Sequence, residues 1–287
     1  MAVYKHGYTR YDGELTSHLT RLLVLPKFAW QQLMGQRLVT SILVAAMFWP
    51  IACAVFVYIA NRADLLQGFG LETPEFLTVD NNFFIIFMNA QASFAIVLAA
   101  LAGPSLIAPD LANGALPLYF SRPLSRTEYV AARMLALVCL LSAVTWIPGV
   151  LLFLMQSGMA GGSWFTANWT LGAGIFFGFL LWILLVGLVA LASSAYVKWR
   201  IVAGALVLGV FFMMAGAAEL TNQVLRVRWA SAFSPLMAMQ QIWRAMLGVD
   251  ALESAPGVAS CLLALAAMVT VLLLVVERKL RPVQVIS

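Results

Sequence analysis

The chain has 287 residues, of which 63% are hydrophobic and only 10% are charged, and its formal net charge is +5. A soluble domain has roughly half its residues apolar and about a quarter charged, so the expected solvent for this chain is a lipid bilayer. The basic residues lie at the ends of hydrophobic segments rather than in one patch. This distribution is typical of membrane topology and argues against a nucleic-acid partner.

Residues 1–37 are expected to form a cytoplasmic segment that carries an interfacial helix. Between residues 15 and 37, leucines and aromatic residues are interleaved with basic ones, which is the pattern of an amphipathic helix on the inner membrane surface. Pro26 suits the first turn of a second helix. The competing interpretation is a flexible tail, but Trp30 and the leucines favour the helix.

Six apolar runs are long enough to cross a bilayer as helices. They cover residues 38–60, 83–108, 129–156, 170–195, 201–220 and 258–276. We therefore predict an all-α polytopic membrane protein with a six-span transmembrane domain over 38–276 and a tail over 277–287. Only residues 196–200 separate the fourth run from the fifth.

The basic residues predict the orientation of the spans. With the N-terminus inside, thirteen of the seventeen Lys and Arg residues lie in inner segments. The four outside are Arg62, Arg226, Arg228 and Arg244. Because inner segments carry the excess of Lys and Arg, we expect both termini in the cytoplasm. The expected location of the chain is the cytoplasmic (inner) membrane of a prokaryote.

Within the second span, Asn89 and Ser93 share a helical face, and Gln91 points about 200° away from Asn89. We predict an interhelical hydrogen bond for Gln91. Asn89 is left open between such a bond and a translocation path. The candidate path residues are Asn89, Ser93 and, near the proline kink of the third span, Trp146.

The inner loop over 109–128 is the most structured polar connector in the chain. Between two apolar spans it carries Asp110, Arg122, Pro123, Arg126 and Glu128. Proline restricts one backbone angle, and arginines pair with carboxylates of a partner. The loop is therefore interpreted as a docking surface for another protein. The alternative is that its arginines only anchor it to lipid phosphates.

The fourth span contains the pair Gly174 and Gly178, spaced as in GxxxG, which indicates close helix packing. The outer segment over 221–257 contains a two-faced helix too short to cross the membrane. Its apolar face comprises Leu236, Met239, Trp243, Met246 and Leu247, and its polar face comprises Gln240, Gln241 and Arg244. This helix is interfacial, re-entrant or a solvated loop helix. Because the larger apolar side chains would cost about 1.5–3 kcal/mol each in water, we predict a lid, with Met239 and Trp243 as its candidate residues.

The sequence lacks the patterns of the common catalytic sites. It contains no GxxxxGK[ST] phosphate loop, no HExxH, no Cys/His cluster and no GxSxG. The spans hold no paired carboxylates at depth, which argues against an ion-coupled carrier, and no nucleophile or metal set for an intramembrane enzyme. We expect no catalytic residue, metal or cofactor in this chain.

Taken together, these features resemble the permease subunits of type-2 ABC exporters over nearly the whole chain. An amphipathic helix precedes six spans, and the inner loop reads DLANGAL from Asp110 and SRPLSRTEY from Ser121. The outer segment reads SPL from Ser234. Ala115 and Arg133 depart from the pattern, which has threonine and lysine there.

The resemblance implies two permease chains, either a homodimer or a pair with a related permease, and two separate ATPase subunits that bind ATP and Mg²⁺. It implies ATPase coupling by Asp110, Arg122, Pro123, Arg126 and Glu128. Membrane lipids and a cargo-handling accessory protein are further candidate partners. The alternative functions are a membrane scaffold that recruits cytoplasmic proteins and a lipid-modifying enzyme. Lipids, polysaccharide, hydrophobic peptides, drugs and ions stay open as cargo, and the apolar spans favour an amphipathic or lipid-like one.

Overall fold

The residues that the structure describes form ten α-helices and one short 3₁₀-helix, with no strand. The structure is a computed structural model, and it describes residues 18–62, 78–115, 125–197, 199–252 and 255–279. In chain order the helices are α1 (His18–Met34), α2 (Arg37–Ala60), α3 (Asn81–Ala102), α4 (Pro104–Ala112), α5 (Arg126–Val144), α6 (Trp146–Ala160), α7 (Gly162–Tyr196), α8 (Arg200–Leu225), the 3₁₀-helix (Trp229–Phe233), α9 (Pro235–Met246) and α10 (Val258–Lys279). The predicted all-α fold is confirmed.

Within the described ranges, six helical stretches are long and apolar enough to cross a membrane. They are α2, Asn81–Asp110, Thr127–Ala160, α7, α8 and α10. Each contains one of the predicted spans, with shifted ends. The largest shift is in α7, which begins at Gly162 rather than at 170. Thr166 and Asn168 donate to the carbonyls of Ser163 and Trp164 one turn earlier, so the helix continues past the apolar run.

The fourth span, α7, is the centre of the bundle. It packs against α3, α4, α5, α6, α8, α9 and α10, and it is the most buried of the six spans. In contrast, only 22%, 28% and 11% of the residues in the apolar windows of α2, α8 and α10 are buried. Apolar faces of this length are suited to contact with lipid rather than with water. The core therefore lies along α7, with the first, fifth and sixth spans at the periphery.

The N-terminal helix α1 packs on α5 and α2 through its buried Ala29 and Leu33, and its Phe28 is exposed. A second helix beginning at Pro26 is wrong, because α1 runs through Pro26 without ending. Packing of Ala29 and Leu33, one and two turns later, stabilises the helix across the proline. At the other end of the chain, α10 continues to Lys279 and takes in the first three residues of the predicted tail.

Several contacts join the ends of α1, α2, α7, α8 and α10 at one end of the bundle. Arg200 donates to the side-chain oxygen of Gln36, and the Lys279 ammonium lies 5.2 Å from the ring centre of Tyr196. We call this end of the bundle the basic end. Its described basic residues include Arg37, Arg133, Arg200, Arg278 and Lys279.

Candidate functional site

The short helix α4 leads from the second span into the 109–128 loop, and a break at Gly103–Pro104 separates it from α3. Pro104 has no N–H, so the carbonyl of Ala100 loses its helical donor. A Cβ built at Gly103 would lie 2.5 Å from the Cβ of Ala190 on α7. A Cβ built at Gly204 on α8 would lie 2.5 Å from the Ala100 oxygen. Because these two positions are glycines, α7 and α8 can both pack closely against the backbone at the break.

The hydroxyl of Ser194, on α7, is inserted into the first turn of α4. It accepts a hydrogen bond from the backbone N–H of Ala108 at 2.9 Å and donates to the carbonyl of Pro104 at 3.4 Å. In an uninterrupted helix that N–H would bond to that carbonyl directly, and an inserted side chain opens the ladder. Since Ser194 is fully buried, α4 is attached to α7 through its own backbone.

A second contact attaches α4 to the N-terminal helix. Pro109 removes the donor that would bond to the carbonyl of Ser105. The side-chain amide of Gln32, on α1, donates to that carbonyl across 3.5 Å, a long hydrogen bond. The amphipathic helix therefore supplies a donor where the proline of α4 removed one.

A buried ion pair attaches the end of α4 to α5. The carboxylate oxygen Oδ2 of Asp110 accepts from the hydroxyl of Tyr129 at 2.6 Å and from the guanidinium of Arg133 at 2.5 Å. The side chains of Arg133 and Asp110 are only 7% and 16% exposed. Tyr129 and Arg133 are four residues apart and share a face of α5, and the guanidinium lies 5.3 Å from the Tyr129 ring centre. Asp110 thus points to α5, and its predicted contact with a partner protein stays a prediction.

Glu128 closes the N-terminus of α5. Its carboxylate accepts from the N–H of Ser125 at 2.7 Å, and the Ser125 hydroxyl accepts from the N–H of Glu128 at 3.2 Å. This reciprocal capping box determines where α5 begins. Of the other predicted coupling residues, Arg122 and Pro123 lie outside the described residues. Arg126 is described by its backbone, as the first residue of α5.

Sequence reasoning missed most of the residues that hold α4. Tyr129 and Arg133 carried a usable signal, because a cation four residues after a tyrosine within an apolar run needs a partner. Gln32 and Ser194 carried none. A glutamine or serine on a helix reveals its acceptor only when the neighbouring helix is in place.

At the opposite end of the bundle, α9 is seated on α7 by Trp243. The Trp243 ring lies 5.9 Å from Phe179 and 5.6 Å from Trp182, centre to centre, and is fully buried. Along α7, Trp182 is about 21 Å from the basic end and about 30 Å from the other end. The predicted lid helix therefore reaches well into the bundle, and a solvated loop helix is wrong.

The GxxxG pair of α7 forms the seat for α9. A Cβ at Gly178 would lie 2.8 Å from the Trp243 ring. A Cβ at Gly174 would lie 3.0 Å from the side chain of Leu247. The predicted close packing at this pair is confirmed, and its partner is the short helix α9.

An aromatic cluster extends from this seat across four helices. It consists of Phe87 on α3, Phe179 and Trp182 on α7, Trp243 on α9 and Phe211 on α8. Within the described part of the chain, the indole N–H groups of Trp182 and Trp243 have no hydrogen-bond acceptor. A buried donor without an acceptor costs about 1–3 kcal/mol. The seat is thus tightly packed, but two of its hydrogen-bond donors lack an acceptor.

Two side chains of α9 differ in burial from what their helical faces predict. Gln241 lies on the predicted polar face but is buried, since its side-chain oxygen accepts from the N–H of Leu252 at 2.9 Å and its amide donates to the carbonyl of Pro256. Met246 lies on the predicted apolar face but is 37% exposed because the helix ends there. Met239 is fully buried, as expected for the apolar face.

The polar residues of the second span have separate roles. Gln91 is buried and donates to the carbonyl of Ala46 on α2, so its predicted interhelical bond is confirmed. Ser93 is exposed and donates to the backbone oxygen of Asn89, which is half-buried. Trp146 opens α6, half-buried, with its ring centre 5.0 Å from that of Phe176. A path lined by Asn89, Ser93 or Trp146 stays a prediction.

No family model and no curated protein matches the chain. The fold itself is that of an all-α protein whose six long apolar helices make it membrane-integral by length and composition.

Proposed function

We propose that the chain is the membrane-spanning permease subunit of an ATP-driven exporter of the type-2 ABC kind. The observation that supports this most is the attachment of α4. The helix that enters the 109–128 loop is bonded to α1 through Gln32, to α5 through Asp110 and to α7 through Ser194. A force on the loop would reach three helices at once, which is what coupling to a moving partner requires.

The partner in this proposal is a cytoplasmic ATPase. The basic end of the bundle faces the cytoplasm of a prokaryotic cell, in accordance with the preference of Lys and Arg for inner segments. Two ATPase subunits bind ATP and Mg²⁺, and each docks on the loop of one permease chain. Arg122, Pro123 and Arg126 contact the ATPase. Asp110 acts from behind them by holding α4 against α5.

At the opposite end, α9 acts as the lid of the translocation path between two permease chains. Its Trp243 lies in a glycine seat on the most buried span, so release of α9 would open space beside Phe179 and Trp182. The two unsatisfied indole N–H groups reduce the stability of the closed seat. They also provide donors for the oxygen atoms of an amphipathic cargo.

The proposal is tested by co-purification and ATP turnover. The chain is expressed together with the P-loop ATPase that we expect a neighbouring gene to encode, and the complex is reconstituted in nanodiscs. The pure chain is expected to lack ATPase activity, since it has no phosphate-binding loop. Arg126→Glu is expected to release the ATPase or to uncouple it. Arg278→Glu, the same charge reversal on α10, is the matched control and keeps both binding and activity.

The outcomes separate the three functional classes. Retention of the ATPase by Arg126→Glu with full transport would refute the coupling role. Stable recruitment of a cytoplasmic protein without any ATP turnover would indicate a scaffold. Turnover of lipid by the isolated chain would indicate a membrane enzyme.

A further inference from the structure

A groove with two arginines at its mouth opens at the basic end, between α2 and α8. Its floor is α3, on which both helices pack, and its volume is about 620 Å³. Arg37 and Arg200 line the mouth, and the described residues that line the rest of the groove include no carboxylate. We propose that this groove binds an anionic phospholipid, with its phosphate between the two arginines. The proposal is independent of the proposed function.

The charges at the mouth call for an anion. Both arginine side chains are exposed, and Arg200 is held in place by its hydrogen bond to the side chain of Gln36. Two guanidinium groups at one mouth concentrate positive charge there, which an anion bound between them would neutralise. Arginine presents a planar fork of donors that matches phosphate oxygens, and basic pockets between transmembrane helices are suited to lipid head groups.

The interior of the groove is suited to a hydrocarbon chain. Below the arginines the groove is lined by Val39, Val97, Leu101 and Leu208, together with Gly204 and Ala205 of α8. A polar ligand would lose its hydration there without gaining hydrogen bonds. From Arg200 to Leu208 the groove extends about 12 Å along α8. The ligand is therefore an amphiphile whose charged head stays at the mouth and whose acyl chain lies on the floor.

A second groove in the same chain provides the comparison. It lies between α7, α8 and α10, has a nearly equal volume of about 640 Å³, and is lined by apolar side chains with Ser193 and Tyr196. Among the described lining residues of this groove there is no arginine or lysine, and the Lys279 ammonium lies beside it, 5.2 Å from the ring centre of Tyr196. Bulk lipid would fill both grooves equally. Selective retention of an anionic lipid is expected only in the groove that carries Arg37 and Arg200.

The experiment measures lipid retention by the purified chain with native mass spectrometry, after exchange into nanodiscs that contain phosphatidylglycerol and phosphatidylcholine. The wild type is expected to retain phosphatidylglycerol selectively. Arg37→Gln and Arg200→Gln should each weaken retention about fivefold, and the double variant more than tenfold. Ala205→Trp should abolish retention by filling the groove with both charges intact. Lys279→Gln and Ala267→Trp, the latter in the second groove, should change nothing.

Thermal unfolding identifies any variant that fails to fold, and the paired arginine variants test the proposal even if Ala205→Trp does not fold. A photo-crosslinking residue at position 38, on the exposed wall of the groove, identifies the occupant. Preferential transfer of the label to phosphatidylglycerol over phosphatidylcholine supports the proposal. Transfer to a second copy of the chain would overturn it, as would equal retention of the two lipids or unchanged retention by the double variant.

Discussion

Gln91 donates a hydrogen bond to the carbonyl oxygen of Ala46, at 3.1 Å, across the contact between the second and first spans. This is the carbonyl that Pro50, four residues later, leaves without a helical donor. An unsatisfied carbonyl is costly in a membrane, where no water can take the place of the missing donor. Gln91 of the second span thus supplies the hydrogen bond that Pro50 of the first span cannot make.

Replacing Gln91 with Leu should destabilise the chain by about 1 kcal/mol, in the range of polar contacts between membrane helices. In a Pro50→Ala background the helical N–H returns, so the same replacement should have a smaller effect. Unfolding of the four variants in detergent measures the coupling. An equal loss in both backgrounds would show that Gln91 does not act through the carbonyl of Ala46.

The buried pair of Asp110 and Arg133 should be intolerant of single replacement. Asp110→Ala leaves a buried guanidinium without its carboxylate, and the expected loss is about 3–5 kcal/mol. The double variant Asp110→Leu/Arg133→Met removes both charges and should recover most of the stability, yet it should lose ATPase coupling because α4 is released from α5. Asp250→Ala, at an exposed carboxylate, is the control for thermal unfolding. Failure of the double variant to recover would indicate that other contacts of Arg133 dominate.

Gly103→Ala should be destabilising by about 1–3 kcal/mol, because its Cβ would overlap that of Ala190 at 2.5 Å. Ala190→Gly should recover part of the loss by removing the opposing methyl group. Gly216→Ala is the matched control, since its Cβ would meet no atom within 4 Å and alanine favours the helix. Equal effects of the two glycine replacements in a thermal-unfolding assay would disprove the close approach.

The six spans could be predicted from the sequence because a bilayer requires only long apolar runs, whichever way they pack. What could not be predicted is which neighbouring group each polar side chain bonds to. Ser194 lies in a polar pair, Ser193–Ser194, yet Ser193 bonds to its own helix while Ser194 enters α4. Likewise, its helical angle alone puts Gln241 on the polar face, and its burial depends on a loop that returns to it through Leu252. Helical periodicity describes one helix and contains no information on the loop or helix beside it.

The seat of α9 predicts an order of reactivity for cysteines placed along the helix, in a background without the native cysteines. Met246→Cys lies where the side chain is 37% exposed and should react rapidly with a water-soluble maleimide, whereas Met239→Cys, fully buried, should react at least tenfold more slowly. Gly178→Ala should then raise the rate at position 239, because the new methyl group would lie 2.8 Å from the Trp243 ring and displace α9. Gly209→Ala on α8, whose nearest neighbour would be 3.8 Å away, should leave both rates unchanged.

Equal, rapid reaction at 239 and 246 in the parent chain would show that α9 is not seated. If the rate at 239 is low and Gly178→Ala leaves it low, then α9 is held by contacts other than the glycine seat and Trp243 is not what keeps the lid closed.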